Sequence, residues 1–357
     1  MKIVVCNMGY SGYWVACWRE LARRSGVDLK IFSPETRYPY SSDFLEGLPI
    51  TIVPNQEMES GRTVGDKVVA ENPDVLILGG WASKVFRSLV YDRRLSKVRK
   101  ILIIDSAWTG SIRQLLSRFV LHRLLKHISG IIVGGERGRQ YAKWLGFRPS
   151  QIFTSIYGYD ADAFAKCLEA RMAEHEKWPN RFCYVGRYVE VKGLGTLINA
   201  YKLYSMRCRE ELNDSPWTLD CYGKGPLGEE LNAVDGVVDH GFIQPEKLPE
   251  ALINEGVFVL PSLHEPWGVA LVEAAGAGLP IICSDCVASG VEVVRPEVNG
   301  IVFPAGNSER LARALLRMHN EYSKLSSMGE YSKSMARAYA PDVWCDRWME
   351  AIHVLGR

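Results

Sequence analysis

Two clusters of charged residues have the types and spacing to do chemistry. The first is Gly186-Arg187-Tyr188-Val189-Glu190-Val191-Lys192-Gly193, where two cations five residues apart are bracketed by glycines and followed at once by helix-like sequence. Glycine lets backbone approach a ligand, a helix amino terminus adds partial positive charge, and Arg and Lys add whole charges, so the segment suits a diphosphate. Surface cations beside a turn are the plainer reading of the same residues. The second is Pro261-Ser262-Leu263-His264-Glu265-Pro266-Trp267-Gly268-Val269-Ala270-Leu271-Val272-Glu273, which runs on to Pro280. Glu265 precedes a helix expected from near Gly268 to near Gly278, and Glu273 falls in its second turn. Without a ligand to face, the first is an acid complementing a helix dipole and the second a helix-surface carboxylate. His264 either joins the chemistry or orients its neighbour.

The surrounding pattern supplies elements to hold these residues. In the first half an apolar strand at 2–6 is followed by the loop Asn7-Met8-Gly9-Tyr10-Ser11-Gly12 and a helix over 13–25. Strand-like runs recur at 28–32, 50–53, 75–78, 101–104 and 131–133. In the second half they fall at 182–185, 218–222, 257–260 and 281–284, and Leu194, Leu197, Ile198, Tyr201 and Tyr204 mark a helix over 194–207. Alternation of strand and helix predicts an α/β chain with parallel sheets covered on both faces. The domains expected are 1–160 and 161–340, with the seam within 158–180. Three helices close the chain, over 308–325, 328–340 and 341–355. The last carries Trp344 and Trp348 four apart, and a helix of about 341–357 is expected to pack back on the first domain. Open parallel sheets bind ligands beyond the carboxyl ends of their strands, so the chemistry belongs in those loops.

The 357 residues are 47% hydrophobic and 24% charged, which excludes disordered, collagenous and coiled-coil classes. No apolar run reaches the roughly 18 to 20 residues that span a bilayer, and Met1-Lys2-Ile3-Val4-Val5-Cys6-Asn7 lacks a secretory leader's apolar segment, so the expected compartment is the cytoplasm. Nine cysteines are scattered, and the close pair Cys283-Ser284-Asp285-Cys286 has no second pair to complete a zinc site, so buried thiols are expected and no metal. The net charge of +2 hides an asymmetry: residues 81–130 hold eleven Lys and Arg against Asp92 and Asp105, leaving about −7 elsewhere. That window is either a solvated helical face or a surface for anionic lipid or a phosphorylated acceptor, with peripheral contact at the inner face of a membrane. Over 111–128 a helical wheel interleaves Arg113, Arg118, Arg123 and Lys126 with Ile112, Leu116, Phe119, Val120, Leu121, Leu124 and Leu125, whereas an interfacial helix segregates them. Nucleic acid is not an expected partner, because no binding motif accompanies the charge.

The run from Pro261 to Pro280 resembles the hallmark of retaining glycosyltransferases of the GT-B fold, in particular family 4, whose signature is Glu, seven residues, Glu. Glu265 and Glu273 match those glutamates. The resemblance extends to Gly186-Arg187 with Lys192-Gly193, to Tyr222-Gly223-Lys224-Gly225-Pro226, His240-Gly241-Phe242, Ser289-Gly290-Val291-Glu292 and Asn299-Gly300-Ile301-Val302. It covers 182–322 and is looser over 1–160, where Gly158-Tyr159-Asp160 resembles the family's hinge. It implies two Rossmann-like doubly wound domains facing across a cleft. The implied reaction moves a sugar from a nucleotide diphosphate sugar, UDP- or GDP-linked, to an acceptor hydroxyl with retention and with no cofactor or metal. Arg187 and Lys192 match the phosphate pair that neutralises the departing diphosphate. Glu273 matches the residue on the ribose hydroxyls and Glu265 the one near the donor sugar. The amides of Gly268, Val269 and Ala270 bind sugar or phosphate, with Gly186 beside them, and the segments around Tyr222 and Phe242 hold the base. No protein nucleophile is required when the leaving phosphate takes the acceptor proton. Many relatives carry a His near the place of Asp105, which as a carboxylate either assists the acceptor proton or caps a helix. Gly9 and Gly12 stand in a loop shorter than the glycine-rich loop of many relatives and are candidates for diphosphate or acceptor. The acceptor implied is a glycan, a lipid-linked molecule or a small molecule; the basic window favours a membrane-anchored or phosphate-bearing one, as in surface polysaccharide or lipid glycosylation.

Competing readings are a sugar-nucleotide epimerase, a phosphorylase, which needs a pyridoxal lysine and greater length, and a catalytically silent GT-B protein that binds glycan or scaffolds a complex. The intact charges at Arg187, Lys192, Glu265 and Glu273 oppose silence. A dinucleotide oxidoreductase lacks its Gly-x-Gly-x-x-Gly after the first strand.

Overall fold

The computed structural model describes residues 1–36, 40, 42–59 and 61–355. Two compact units divide the chain, Met1–Tyr159 with Tyr339–Arg357, and Asp160–Ala338.

The first unit is built on seven strands, β1 (Lys2–Cys6), β2 (Asp28–Pro34), β3 (Ile50–Val53), β4 (Val75–Gly79), β5 (Arg99–Ile104), β6 (Gly130–Val133) and β7 (Ile152–Thr154), in the order β3-β2-β1-β4-β5-β6-β7. Neighbours pair in parallel; Val5, for example, lies opposite Ile31 and Ile77. Side chains alternate across the sheet, so the apolar runs feed two cores. Val4, Leu76, Leu78, Leu102 and Ile104 enter one, while Ile3, Val5, Ile77, Ile101 and Ile103 enter the other. β7 escaped the sequence because three residues carry no periodicity.

The helix Pro341–Val354 belongs to this unit. Trp344 and Trp348 are fully buried among Trp14, Trp18 and Ile156, and their ring nitrogens donate to the carbonyls of Ile156 and Ser155 at 3.2 and 2.9 Å. Burying two indoles demands partners for both N–H groups, and the chain just after β7 supplies them. Residues 356–357 of the expected helix lie outside the described residues.

The helix Ile112–Leu125 departs from the sequence reading. Gln114 and Ser117 point into the unit, where the Gln114 amide donates to the Ala107 carbonyl at 2.7 Å and Ser117 accepts from the Tyr141 hydroxyl at 3.0 Å. Ile112, Leu116, Phe119 and Val120 point outward. The apolar residues looked unsegregated on the wheel because polar ones fill part of the inward stripe. Among the described residues no helix is long and apolar enough to cross a membrane.

The second unit has six strands, β8 (Arg181–Val185), β9 (Thr218–Tyr222), β10 (Val237–Gly241), β11 (Val257–Leu260), β12 (Ile281–Ser284) and β13 (Gly300–Phe303), in the order β10-β9-β8-β11-β12-β13, again all parallel. The sequence missed β10 and β13, the two edges: β10 mixes polar with apolar residues, and β13 read only as part of a motif. The charged stretch beyond Tyr159 is no free linker. Its helix Cys167–Glu174 is pinned by Arg171, which is buried and donates to the carbonyls of Leu252, Ala277 and Gly278 at 2.6, 3.0 and 3.1 Å.

In both sheets the order reverses once, between β1 and β4 and between β8 and β11. Adjacent loops diverge there and leave room for a ligand at the carboxyl ends. Trp348→Ala is expected to cost about 3–5 kcal/mol, as for other buried aromatics. Hydrogen exchange should then lose protection in β1 and β4 and keep it in β8 and β11; equal loss in both units would contradict the assignment of this helix to the first.

Candidate functional site

In the second unit the loops after β8 and β11 meet at the reversal. The first runs Gly186 to Gly193 and leads into the helix Leu194–Arg207. Gly193 takes φ +71°, and a Cβ there would stand 2.0 Å from the Pro261 carbonyl oxygen. Only glycine lets the β8 loop lie this close to the end of β11. The same contact is held by the Leu263 amide, which donates to the Val191 carbonyl at 2.9 Å. The result is a contact between the Lys192 ammonium and Glu265 Oε2, which also accepts from the Ser262 hydroxyl at 3.1 Å. Glu265 is buried, and Lys192 is partly covered. Arg187, by contrast, is exposed and pairs with no carboxylate among the described residues. The site therefore presents one cation held by a carboxylate and one exposed to solvent.

Gly186 opens the loop, its amide donating to the Tyr222 carbonyl at 3.0 Å. A Cβ on Gly223 would fall 1.8 Å from the Gly186 carbonyl oxygen, so the loop after β9 also rests directly on this one. These glycines serve loop-to-loop packing.

Gly268 ends the β11 loop at φ +97° and precedes the helix Val269–Gly276. A side chain there would crowd Val287, Glu265 and Ser289, at 2.9 to 3.1 Å. The amides of Val269 and Ala270 occupy the helix's first turn, where no preceding carbonyl is in register to accept from them. Glu273 sits half-buried on that helix, and desolvation, with Asp160 adding like charge, pushes its carboxyl up to about 7. His264 is exposed, its amide donating to the Val191 carbonyl at 3.3 Å.

Tyr222 turns inward. Its hydroxyl donates to the buried Glu255 carboxylate at 2.7 Å, and its ring stacks on His240 at 4.6 Å between centroids. Burial, with the charge of Asp220, pushes Glu255 up to about 8. His240 Nε2 in turn meets Asp220 at 2.6 Å. The outer surface of this wall belongs to His240 and the half-buried Phe242 rather than to the Tyr222 ring. Glu255 and Asp220 had no motif to flag them, since one lies before a strand and the other inside one.

In the first unit a cavity of about 270 Å³ opens at the reversal between β1 and β4, lined by Asn7, Trp14, Trp81, Asp105 and Tyr157 among others. Asp105 follows β5 and is exposed, accepting from the Tyr157 hydroxyl at 3.3 Å. It is neither buried nor a helix cap; Ser111 caps the helix that follows, accepting from the Gln114 amide. Gly9 has open space around it, and its carbonyl accepts from the Asn7 side-chain Nδ2 at 2.8 Å. Gly12 is the first residue of the helix Gly12–Arg23, which begins one residue before its expected start.

An acid whose carboxyl is raised in the folded state binds its proton more tightly folded than unfolded. The stability Glu273 contributes is therefore present at low pH and lost as pH rises from the ordinary carboxylate range through about 7. Glu273→Gln is expected to melt progressively higher than the parent as pH goes from about 5 to about 8. A difference in melting temperature that stays flat across that range would remove the assigned desolvation.

Residues 169–335 match the family model described as glycosyl transferases group 1. An exopolysaccharide phosphotransferase of Streptomyces coelicolor is 30% identical over 146 residues, covering 39% of this chain and 16% of that protein. The phosphatidyl-myo-inositol mannosyltransferase of Mycobacterium leprae is 29% identical over 167 residues, covering 45% of this chain and 42% of that protein. The matched chain thus spans less than half the length of these curated relatives. Among solved structures, Anabaena HepE in complex with UDP and glucose superposes with TM-score 0.73 at 17% identity over 99% of both chains. Sucrose-phosphate synthase from Thermosynechococcus elongatus gives 0.73 at 18% identity, over 99% of this chain and 98% of the other. The chain has the GT-B fold, and its residues 169–335 match the glycosyl transferases group 1.

Proposed function

We propose that the protein is a retaining glycosyltransferase that moves a sugar from a UDP- or GDP-sugar to an acceptor hydroxyl. The observation that carries this reading is the Lys192 ammonium held against Glu265 at the strand-order reversal of the group 1 region, with Arg187 on the Lys192 loop and the amides of Val269 and Ala270 opening the helix after the Glu265 loop. As the bond between the anomeric carbon and the diphosphate breaks, charge grows on the departing oxygen. Lys192 and Arg187 then gain attraction in the transition state that they lack with intact donor. The acceptor oxygen forms its bond on the face the diphosphate leaves, and its proton passes to the leaving phosphate oxygen, so the configuration is kept. Glu265 keeps Lys192 extended toward that oxygen and presents its second carboxylate oxygen to the donor sugar. Glu273 takes the ribose hydroxyls, and His240 and Phe242 flank the base. Asp105 and the cavity beside it, with Gly9 and Gly12 at its edge, serve the acceptor.

The donor class is supported by the UDP and glucose named with the Anabaena structure, and a membrane-borne or polysaccharide acceptor by the mannosyltransferase of phosphatidyl-myo-inositol and the lipopolysaccharide 1,6-galactosyltransferase of Escherichia coli, 29% identical over 133 residues. In this reading Lys192 and Arg187 neutralise the departing diphosphate, a task that a divalent metal would otherwise perform.

Thermal melting against nucleotides and nucleotide sugars tests the donor: the cognate nucleotide at 100 times its dissociation constant adds about 2.7 kcal/mol. No shift with any nucleotide diphosphate would defeat the reading. With the donor in hand, Lys192→Ala is expected to lower turnover by about 10²-fold to 10³-fold with the fold intact, and near-normal turnover would refute the clamp. Chelator is expected to leave turnover unchanged, whereas strict dependence on added Mg²⁺ or Mn²⁺ would assign charge neutralisation to a metal.

A further inference from the structure

The helix Ile112–Leu125 has an outer face that nothing in the unit covers. Ile112 is 76% exposed, Phe119 74% and Val120 78%, with Leu115 and Leu116 beside them. At 100° per residue these five share one arc over the first turns, flanked by Arg113 and Arg118 and continued by Arg123 and Lys126. Inward, Leu124 is buried and Leu121 half-buried. A helix apolar on both faces ordinarily lies inside a core, and large apolar side chains gathered on a surface mark a contact.

A second observation adjoins it. Where the helix ends, Lys126 and His127 form one wall of a groove of about 530 Å³, and Arg93, Lys97 and Arg99 form the other. The groove runs under the amino-terminal ends of β5 and β6, opposite the edge that carries Asp105. Its one carboxylate, Asp92, is tied up by the Arg94 guanidinium at 2.7 Å. Arg93, Lys97, Arg99 and Lys126 pair with no acid among the described residues. Tyr91, half exposed, lays its ring edgewise to His127 at the groove wall, 5.4 Å between centroids.

From these two features we infer that the first unit docks on an anionic lipid surface, with Ile112, Leu116, Phe119 and Val120 in the acyl boundary and the groove taking a phosphate headgroup. Apolar insertion and cationic attraction supply the two signals that reversible membrane binding needs. A second copy of this chain fits less well, since the groove would set one cationic surface against another. The inference deepens the membrane-borne acceptor of the proposed reaction but stands on the first unit alone, and its test needs no turnover.

The full chain is sedimented with phosphatidylcholine vesicles and with vesicles carrying phosphatidylglycerol in addition. Binding is expected to the anionic vesicles only, and to weaken as salt rises. The double variant Ile112→Ser and Phe119→Ser, and separately Lys97→Glu with Lys126→Glu, should each weaken it by at least about tenfold at an unchanged melting temperature. Three results would overturn the inference. They are equal binding to both vesicles, no vesicle binding with glycerol phosphate still bound, and a concentration-dependent dimer abolished by Phe119→Ser in place of vesicle binding. A chain that binds vesicles but no nucleotide would separate this surface from the proposed reaction.

Discussion

The contact between the Lys192 ammonium and the Glu265 carboxylate is the interaction on which the site depends. A lysine on a loop loses rotamer freedom when fixed, and a partly buried charge needs a partner. Glu265 supplies the partner, Ser262 steadies Glu265, and both sit in the loop that leaves β11. The two loops can touch because Gly193 has no side chain to strike the Pro261 carbonyl. Parallel strands running together to a reversal of order bring the loops side by side in the first place. In this way a cation is positioned before any anion arrives, and electrostatic catalysis requires that its charges need little reorganisation.

The wall formed by β9 and β10 shows a different economy. Tyr222, His240, Asp220 and Glu255 link by stacking and hydrogen bonds into one polar chain under the loops. The Glu255 carboxylate is pushed toward neutrality, which removes much of the cost of enclosing it. Such a chain fixes the position of His240, the member that reaches the surface.

How much of this could be read without coordinates depended on where periodicity was strong. Strands such as 257–260 and 281–284 are buried on both faces and read as near-continuous apolar runs, so their limits were visible. The edge strand Val237–Gly241 was not, because it mixes polar with apolar residues, nor were Gly300–Phe303 and Ile152–Thr154, which are too short to show a period. Arg187 and Lys192 stood out by their spacing and the glycines around them, and Glu265 and Glu273 by the resemblance of their segment to the family's signature. Asp220 and Glu255 escaped, since a buried acid inside or just before a strand is recognised only by its partners. The helix Ile112–Leu125 misled for a related reason: Gln114 and Ser117 face inward to satisfy buried carbonyl and hydroxyl partners, which hides the apolar arc on the outside.

A crystal structure of the protein with UDP or GDP bound tests the central claim most directly. The account places the diphosphate oxygens within hydrogen-bond reach, about 3 Å, of the Lys192 ammonium and the Arg187 guanidinium, with the ribose against Glu273. A nucleotide seated elsewhere, or one seated here with Lys192 turned away from its phosphates, would contradict it.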